Sequence, residues 1–282
     1  MNKIGVFGGG GFVGGEFCRT YLDEVEVVGR KINATNYPVV LDFVSTVDNY
    51  NVHTNPFLDI DTNLRLLVEK LQNTKIIYGT SAVYNFMSSW FVYGKTKLPA
   101  KEDSPCNPTG FYSITKRAAE QLLISYCQTF GMKWRILRLG NVIGVGDKKI
   151  SPKKNALQWM IKELAQGRDI SLYENSSLRD YIDVRDVVSA IHLVLEKGEP
   201  NQIYNIANGR GYNVDYLIKH AHEACGFTGK IGSIPVPEFH KIVQTPMMYM
   251  DISKIKRLGY IQQYDIMQSV ASLAEYYQKN EA

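Results

Sequence analysis

Lys3-Ile4-Gly5-Val6-Phe7-Gly8-Gly9-Gly10-Gly11-Phe12-Val13-Gly14 is an apolar run that ends in glycines and leads into a helical pattern reaching Leu22. The run from Ile4 to Phe7 reads as a buried strand, and the spacing Gly8-x-x-Gly11-x-x-Gly14 reads as a tight turn into the helix. Without a Cβ at Gly8 and Gly11 the backbone can approach a pyrophosphate, whose charge the N-terminal end of the helix favours. Gly8, Gly11, Phe12, Val13 and Gly14 are thus candidate dinucleotide-binding residues; the other reading is a glycine-rich turn with no ligand.

Working outward, Val25–Val28, Val39–Val44, Ile76–Tyr78, Trp134–Leu139 and Ile203–Ile206 read as further strands, with amphipathic segments between most of them. Such alternation predicts a parallel sheet covered by helices on both faces. Asn55-Pro56 opens a helix striped by Ile60, Leu64, Leu67, Val68 and Leu71, and a later helix carries Ala118, Ala119, Leu122, Leu123 and Tyr126. Both stripes suit core and subunit contact. A Lys-rich loop, Lys148 to Lys154, follows Gly144. Residues 1–144 and 178–208 are expected to form a dinucleotide-binding domain, and 145–177 with 209–282 a smaller substrate lobe.

The 282 residues, 45% hydrophobic, can bury a substantial core. A net charge of +4 spread along the chain does not make a nucleic-acid platform, and no stretch approaches the roughly 18 apolar residues of a membrane span. With the first strand starting by Lys3 there is no room for a leader, so a cytoplasmic location is expected. Cys18, Cys106, Cys127 and Cys225 are too scattered for a zinc site or a disulfide framework.

Chemistry enters with Tyr112 and Lys116, which share one helix face, and with Gly79-Thr80-Ser81, read as the end of the Ile76–Tyr78 strand. A free phenol titrates near about pH 10, and bringing it to neutrality requires about 4 kcal/mol of preference for the phenolate. A neighbouring ammonium shifts it in that direction.

With these elements in order, the chain resembles the extended short-chain dehydrogenase/reductases, in their sugar-nucleotide epimerase/dehydratase group. Further residues carry the resemblance: Thr80-Ser81-Ala82-Val83-Tyr84, Lys116-Arg117-Ala118-Ala119-Glu120, Arg138 to Gly144, Arg179-Asp180-Tyr181 and Tyr204-Asn205-Ile206. The resemblance implies a Rossmann-type doubly wound α/β fold with a smaller C-terminal substrate lobe. It also implies Tyr112 as general acid/base, Lys116 on the nicotinamide ribose, Thr80 on the reacting oxygen, Ser81 near the substrate, and Asn141 and Arg179 on the diphosphate of a nucleotide sugar. A homodimer through two paired helices is implied as well. The residue types alone also allow Thr80 to cap a strand end, Asn141 to satisfy loop backbone, and Arg179 to pair with Asp183 or Asp186.

Departures from the family pattern narrow the expectation. The second strand ends Val28-Gly29-Arg30-Lys31, where an acidic residue would bind the adenosine ribose; Arg30 favours NADP, with NAD as the alternative. The short segment from Lys31 to Pro38 leaves little room for the family's third strand and its adenine-contacting Asp. Ser81-Ala82 replaces the Asp-Glu of the dehydratases, and no His lies between His53 and His192 to serve a combined epimerase and reductase. No base lies between Lys241 and Lys254, where relatives place a diphosphate-binding Arg. The resulting expectation is NADPH-dependent reduction of a 4-keto sugar nucleotide, with an NAD-dependent 4-epimerase as the alternative. A non-catalytic NADP-sensing regulator is disfavoured by the joint presence of Thr80, Tyr112 and Lys116.

Overall fold

The computed structural model describes residues 3–174 and 177–280. Its main sheet contains β1 (Ile4–Phe7), β2 (Val25–Val28), β3 (Val39–Asp42), β4 (Val83–Ser89), β5 (Lys133–Leu139) and a last strand, Gln202–Ile206. The order is β2-β1-β3-β4-β5 and then the last strand, with every pairing parallel. The chain therefore steps one way from β1 to β2 and returns on the other side to β3, so a crevice opens above the carboxyl ends of β1 and β3.

Helices cover both faces. On one, α3 (Leu66–Tyr78) and α4 (Phe111–Phe130) bury Leu67, Leu71, Ala119 and Leu123 against Val40, Tyr84, Phe86 and Ile136. On the other, α1 (Phe12–Thr20) and the helix Val184–Lys197 bury Phe17, Val187 and Ile191 against Val6, Leu41 and Leu137. The short helix α2 (Phe57–Ile60) runs into α3 through a π turn, Asp61–Arg65. A separate core joins the helices Ala156–Ala165, Val214–Cys225 and Ile266–Asn280 through Leu157, Ile161, Leu217, Ile218, Val270 and Leu273. Beside it, Leu178–Asp183 pairs with Asn141–Ile143, Gly211–Asn213 and Met247–Met248, outside the main sheet. This is the Rossmann-type sheet with a smaller C-terminal α/β lobe. Among the described residues no helix is long and apolar enough to cross a membrane.

One expected strand is a helix. Ile76–Tyr78 forms the last turn of α3, with Ile76 67% and Ile77 51% exposed. Leu67, Lys70, Leu71 and Thr74 keep the helical spacing of the buried face, which turns Ile76 and Ile77 outward until Gly79, at φ +54°, ends the helix. The strand read there is instead β4, seven residues further on. The shortened second-strand region is as expected: among the described residues β2 pairs with β1 alone and forms the sheet edge.

A buried ionic network ties α4 to the sheet. Glu120 is fully buried and accepts Arg138 Nε at 2.9 Å and Nη2 at 2.8 Å, Ser88 Oγ at 2.6 Å and Arg117 Nη1 at 2.8 Å. Burial alone raises the Glu120 pKa; the hydrogen bonds and charge of Arg138 outweigh it and hold the carboxyl below its usual range. Glu120→Gln leaves the Arg138 guanidinium, 1% exposed, without its counter-charge, and is expected to cost about 3 kcal/mol in urea denaturation. Glu163→Gln, breaking the pair with the half-exposed Arg168, is expected to cost less than about 1 kcal/mol.

Candidate active site

The carboxyl ends of β1, β3, β4 and β5 open onto a cleft of about 1480 Å³ between the main sheet and the second core. The glycine loop forms its floor. Gly8 has φ +78°, the Gly11 N–H donates to the Gly8 carbonyl at 3.0 Å, and a Cβ on Gly14 would lie 2.5 Å from that same oxygen. Gly14 is thus required for the helix to approach the strand, and Gly11 keeps the turn open. Phe12, Val13 and Arg30 also line the cleft.

Tyr112 stands in the first turn of α4 and is 6% exposed. Burial pushes its pKa up to about 12, hydrogen bonds with Ser89 and Ser45 pull the other way, and the carboxylates of Asp59 and Asp48 add to the rise. Lys116, one turn on, donates from Nζ to the Met87 carbonyl at 2.7 Å and lies 3.9 Å from the centre of the Phe86 ring. Burial pulls its pKa down to about 7. Lys116 is thus turned to the Met87 carbonyl and the Phe86 ring, and the Tyr112 pKa rises where the helix spacing had predicted a fall.

Thr80 and Ser81 lie elsewhere. They form the exposed turn Gly79–Ser81 before β4, at the opposite end of the strand from the cleft, and neither lines it. The misplacement follows from reading Ile76–Tyr78 as the strand. The hydroxyl at the true strand end is Ser89, and the signal for it lay in Met87-Ser88-Ser89-Trp90-Phe91-Val92-Tyr93-Gly94. The residues that follow Ser89 are Trp90 and Phe91, so no carboxylate stands where the dehydratases carry their Asp-Glu. Phe91 meets the Tyr112 ring edge-on, 6.0 Å between centroids.

Asn141 and Arg179 both line the cleft. Asn141 donates to the Asp180 carbonyl at 3.0 Å and accepts from Trp90 Nε1 at 3.2 Å, so its amide does serve backbone. Arg179 donates to the carbonyls of Leu178 and Pro246, and its guanidinium lies 5.3 Å from the Trp90 ring. No carboxylate pairs with it among the described residues: Asp183 takes Arg185, and Asp186 accepts the backbone N–H groups of Gln263 and Tyr264. Burial pulls the Arg179 pKa down to about 10, and an unpaired buried cation at a cleft wall is suited to an anionic ligand. The sequence reading missed His240, which lines the cleft, hydrogen-bonds Tyr50 across it and stacks edge-on against Tyr173.

The match to known proteins agrees with this geometry. The model of the NAD dependent epimerase/dehydratase family matches residues 16–207. The chain belongs to that family. It is 25% identical over 273 residues to a Methanocaldococcus jannaschii protein named provisionally as a UDP-glucose 4-epimerase, covering 95% of this chain and 84% of that one. The solved UDP-glucose 4-epimerase from Bifidobacterium longum, in complex with NAD+ and UDP, superimposes with a TM-score of 0.86 at 20% identity over 99% of both chains. RMD from Pseudomonas aeruginosa, complexed with NADPH, gives 0.84 at 19% identity over 99% of both. These likenesses correct the cofactor expectation: six of the similar solved structures hold NAD and one NADPH. Arg30 is an exposed residue in the turn after β2, at the rim of the cleft.

The depressed Lys116 pKa has a measurable sign. Between about pH 7 and 10.5 the unfolded chain holds a proton on this amine that the folded chain does not, so the group makes stability rise with pH across that window. Lys116→Met is expected to flatten the rise, by at most on the order of 4 kcal/mol, in denaturation curves collected from pH 6 to about 10.5.

Proposed function

We propose that the protein is an NAD-dependent 4-epimerase of a nucleotide-diphosphate sugar. The observation that carries this reading is a buried phenol, Tyr112, in the same cleft as Ser89 at a strand end that no Asp-Glu pair follows. Such a site exchanges one proton at one sugar oxygen and has no second acid or base there for eliminating water. The relatives named as 4-epimerases support it, and the argument for a reductase loses its main support with NADP.

The glycine loop fits a dinucleotide, because Gly8, Gly11 and Gly14 leave the space that side chains would fill. These residues would hold the pyrophosphate, and Lys116 the nicotinamide ribose. NAD supplies the hydride acceptor and donor. Tyr112 would take the proton from the sugar 4-hydroxyl and give it back to the same oxygen once the turned ketone is reduced on its other face, while Ser89 would share a hydrogen bond to that oxygen. Arg179 holds the diphosphate, so the sugar can turn within the cleft while remaining anchored. One observation favours a reductase as the second reading: β2 forms the open edge of the sheet, which suits an exchanging cofactor.

Denaturing the purified protein and identifying the released nucleotide tests the choice. Near-stoichiometric NAD is expected; an empty site points to the reductase. With UDP- and GDP-sugar 4-epimer pairs followed by NMR, Tyr112→Phe is expected to lower kcat by about 10²–10⁴.

We further propose a homodimer through α3 and α4, whose outer faces expose Val68, Ile76, Ile77, Ile114, Leu122 and Phe130. Light scattering is expected to give twice the chain mass for wild type and a monomer for the double variant Ile76→Asp/Leu122→Glu.

A further inference from the structure

The cleft is bridged at a point that the proposed chemistry leaves unused. Residues 235–246 run along it as a strap whose two ends are fastened by strand pairing: Ile231–Ile234 lies parallel to Ile170–Tyr173, and Met247–Met248 pairs with Leu178–Arg179. Between those ends Val243 is the one buried residue, while Val236, His240 and Gln244 line the cleft. The Pro246 carbonyl accepts Arg179 Nη1 at 2.8 Å, so the strap borders the part of the cleft that Arg179 lines. Backbone pairing thus holds the ends, and the short helix Glu238–Val243 in the middle is held by side chains.

The holding side chains come from the side of the main sheet. The Tyr50 hydroxyl hydrogen-bonds His240 Nε2, the Phe239 ring lies 5.1 Å from that of Tyr50 and 4.5 Å from that of His53, and Thr109 Oγ1 donates to the Ile242 carbonyl at 2.9 Å. Burial pushes the Tyr50 pKa up to about 12 and pulls that of His240 down, so a neutral phenol donates to a neutral imidazole. Both holding points adjoin the start of α4. Thr109 precedes its N-cap, Gly110, and Asn49, next to Tyr50, accepts the Ser113 N–H at 3.4 Å. A Cβ on Gly110 would lie 2.1 Å from Asn49 Oδ1, so the Tyr50 turn is seated directly on the end of the helix that presents Tyr112. Contacts this few open locally while both cores stay folded, and the paired ends return the strap to the same place.

We propose that residues 235–246 are a hinged cover over the substrate end of the cleft, latched by His240 on Tyr50, which lifts to let a nucleotide-diphosphate sugar in and out. Shut, it keeps water from the site and retains the sugar between oxidation and re-reduction. The ligand rests on the function proposed above; the latch does not. Hydrogen exchange read by mass spectrometry tests the latch without any ligand, in wild type, Tyr50→Phe and His240→Ala. Exchange in the 236–246 peptide, where Lys241 and Gln244 donate to the Pro237 and His240 carbonyls, is expected to quicken about fivefold to tenfold in both variants, with peptides of the Ile266–Asn280 helix unchanged. Ala at position 240 by itself favours a helix, so quickening there reports the lost latch. Unchanged exchange in Tyr50→Phe, which removes the hydroxyl alone, overturns the proposal even if His240→Ala fails to fold. Stopped-flow binding of UDP and of GDP tests the cover. Association and dissociation are both expected to rise about tenfold in Tyr50→Phe, with Kd within about threefold of wild type. Unchanged rates overturn the cover, and so does a rise in dissociation alone, which would make the latch a ligand contact. Wild type that binds neither nucleotide overturns the nucleotide-sugar reading, and the exchange comparison still decides the latch.

Discussion

The Glu120–Arg138 pair is the constraint on which the site depends. Glu120 lies one turn beyond Lys116 on α4, Arg138 lies on β5, and the same carboxylate takes the Ser88 hydroxyl from β4. Tyr112, Lys116 and Ser89 therefore hang from a joint that fixes one helix against two strands. Burying two ions costs several kcal/mol each, and the attraction offsets this only if every donor and acceptor finds a partner. Here both carboxylate oxygens are doubly engaged, and Arg138 also reaches the Glu102 carbonyl and lies over the Tyr93 ring. The network continues from Tyr93 to Asn205 on the last strand, and Asn205 holds the carbonyls of Ala100 and Asp251. Apolar residues could supply the stability of this joint; they could not fix its register with the same directionality.

The electrostatics of the two helix residues follow from the same burial. A site dry enough to strengthen hydrogen bonds also penalises every charged form, so the Tyr112 phenolate and the Lys116 ammonium are both disfavoured. Sequence spacing correctly placed the two residues one turn apart, but distance alone does not decide whether one helps the other ionise. Lys116 is turned to the strand carbonyl of Met87. On the proposed reading, the cationic nicotinamide ring of oxidised NAD is what brings a positive charge to this pocket, which makes the working proton affinity of Tyr112 a property of the loaded enzyme.

What could be read from sequence divides along physical lines. The glycine loop and the Tyr112–Lys116 turn are local patterns, carried by contiguous residues whose geometry the backbone dictates, and both lie at the cleft. The strand-end hydroxyl failed because a three-residue apolar run is equally compatible with a strand and with the end of a helix. Ile76 and Ile77 are apolar although exposed, so the usual link between apolar and inward misled there. Arg179 was ambiguous for a different reason: three carboxylates follow it within seven residues in sequence, and only folding shows that Asp180 turns to the backbone of Asn208, Gly209 and Met250 while Asp183 and Asp186 serve Arg185 and the Gln263–Tyr264 turn. Tyr50 and His240 meet across the cleft from segments far apart in the chain, and no local pattern announces such a contact.

The open edge at β2 bears on how a cofactor is kept. With no strand beyond β2 among the described residues, the sheet offers little wall to an adenine, and the residue after Gly29 is a base with no carboxylate to receive the ribose hydroxyls. An epimerase must hold its dinucleotide through oxidation and re-reduction of the sugar, so on the proposed reading the retention must come from the other end. That end has the parts for it: the glycine loop leaves room for close approach, Lys116 is buried at the cleft, and the basic loop Lys148 to Lys154 lines the cleft on the side of the second core. On that reading, binding energy concentrated at the pyrophosphate and nicotinamide ends would hold the reactive ring still while leaving the adenine loosely held. That is the distribution an enzyme needs when the sugar must turn over and the ring must not.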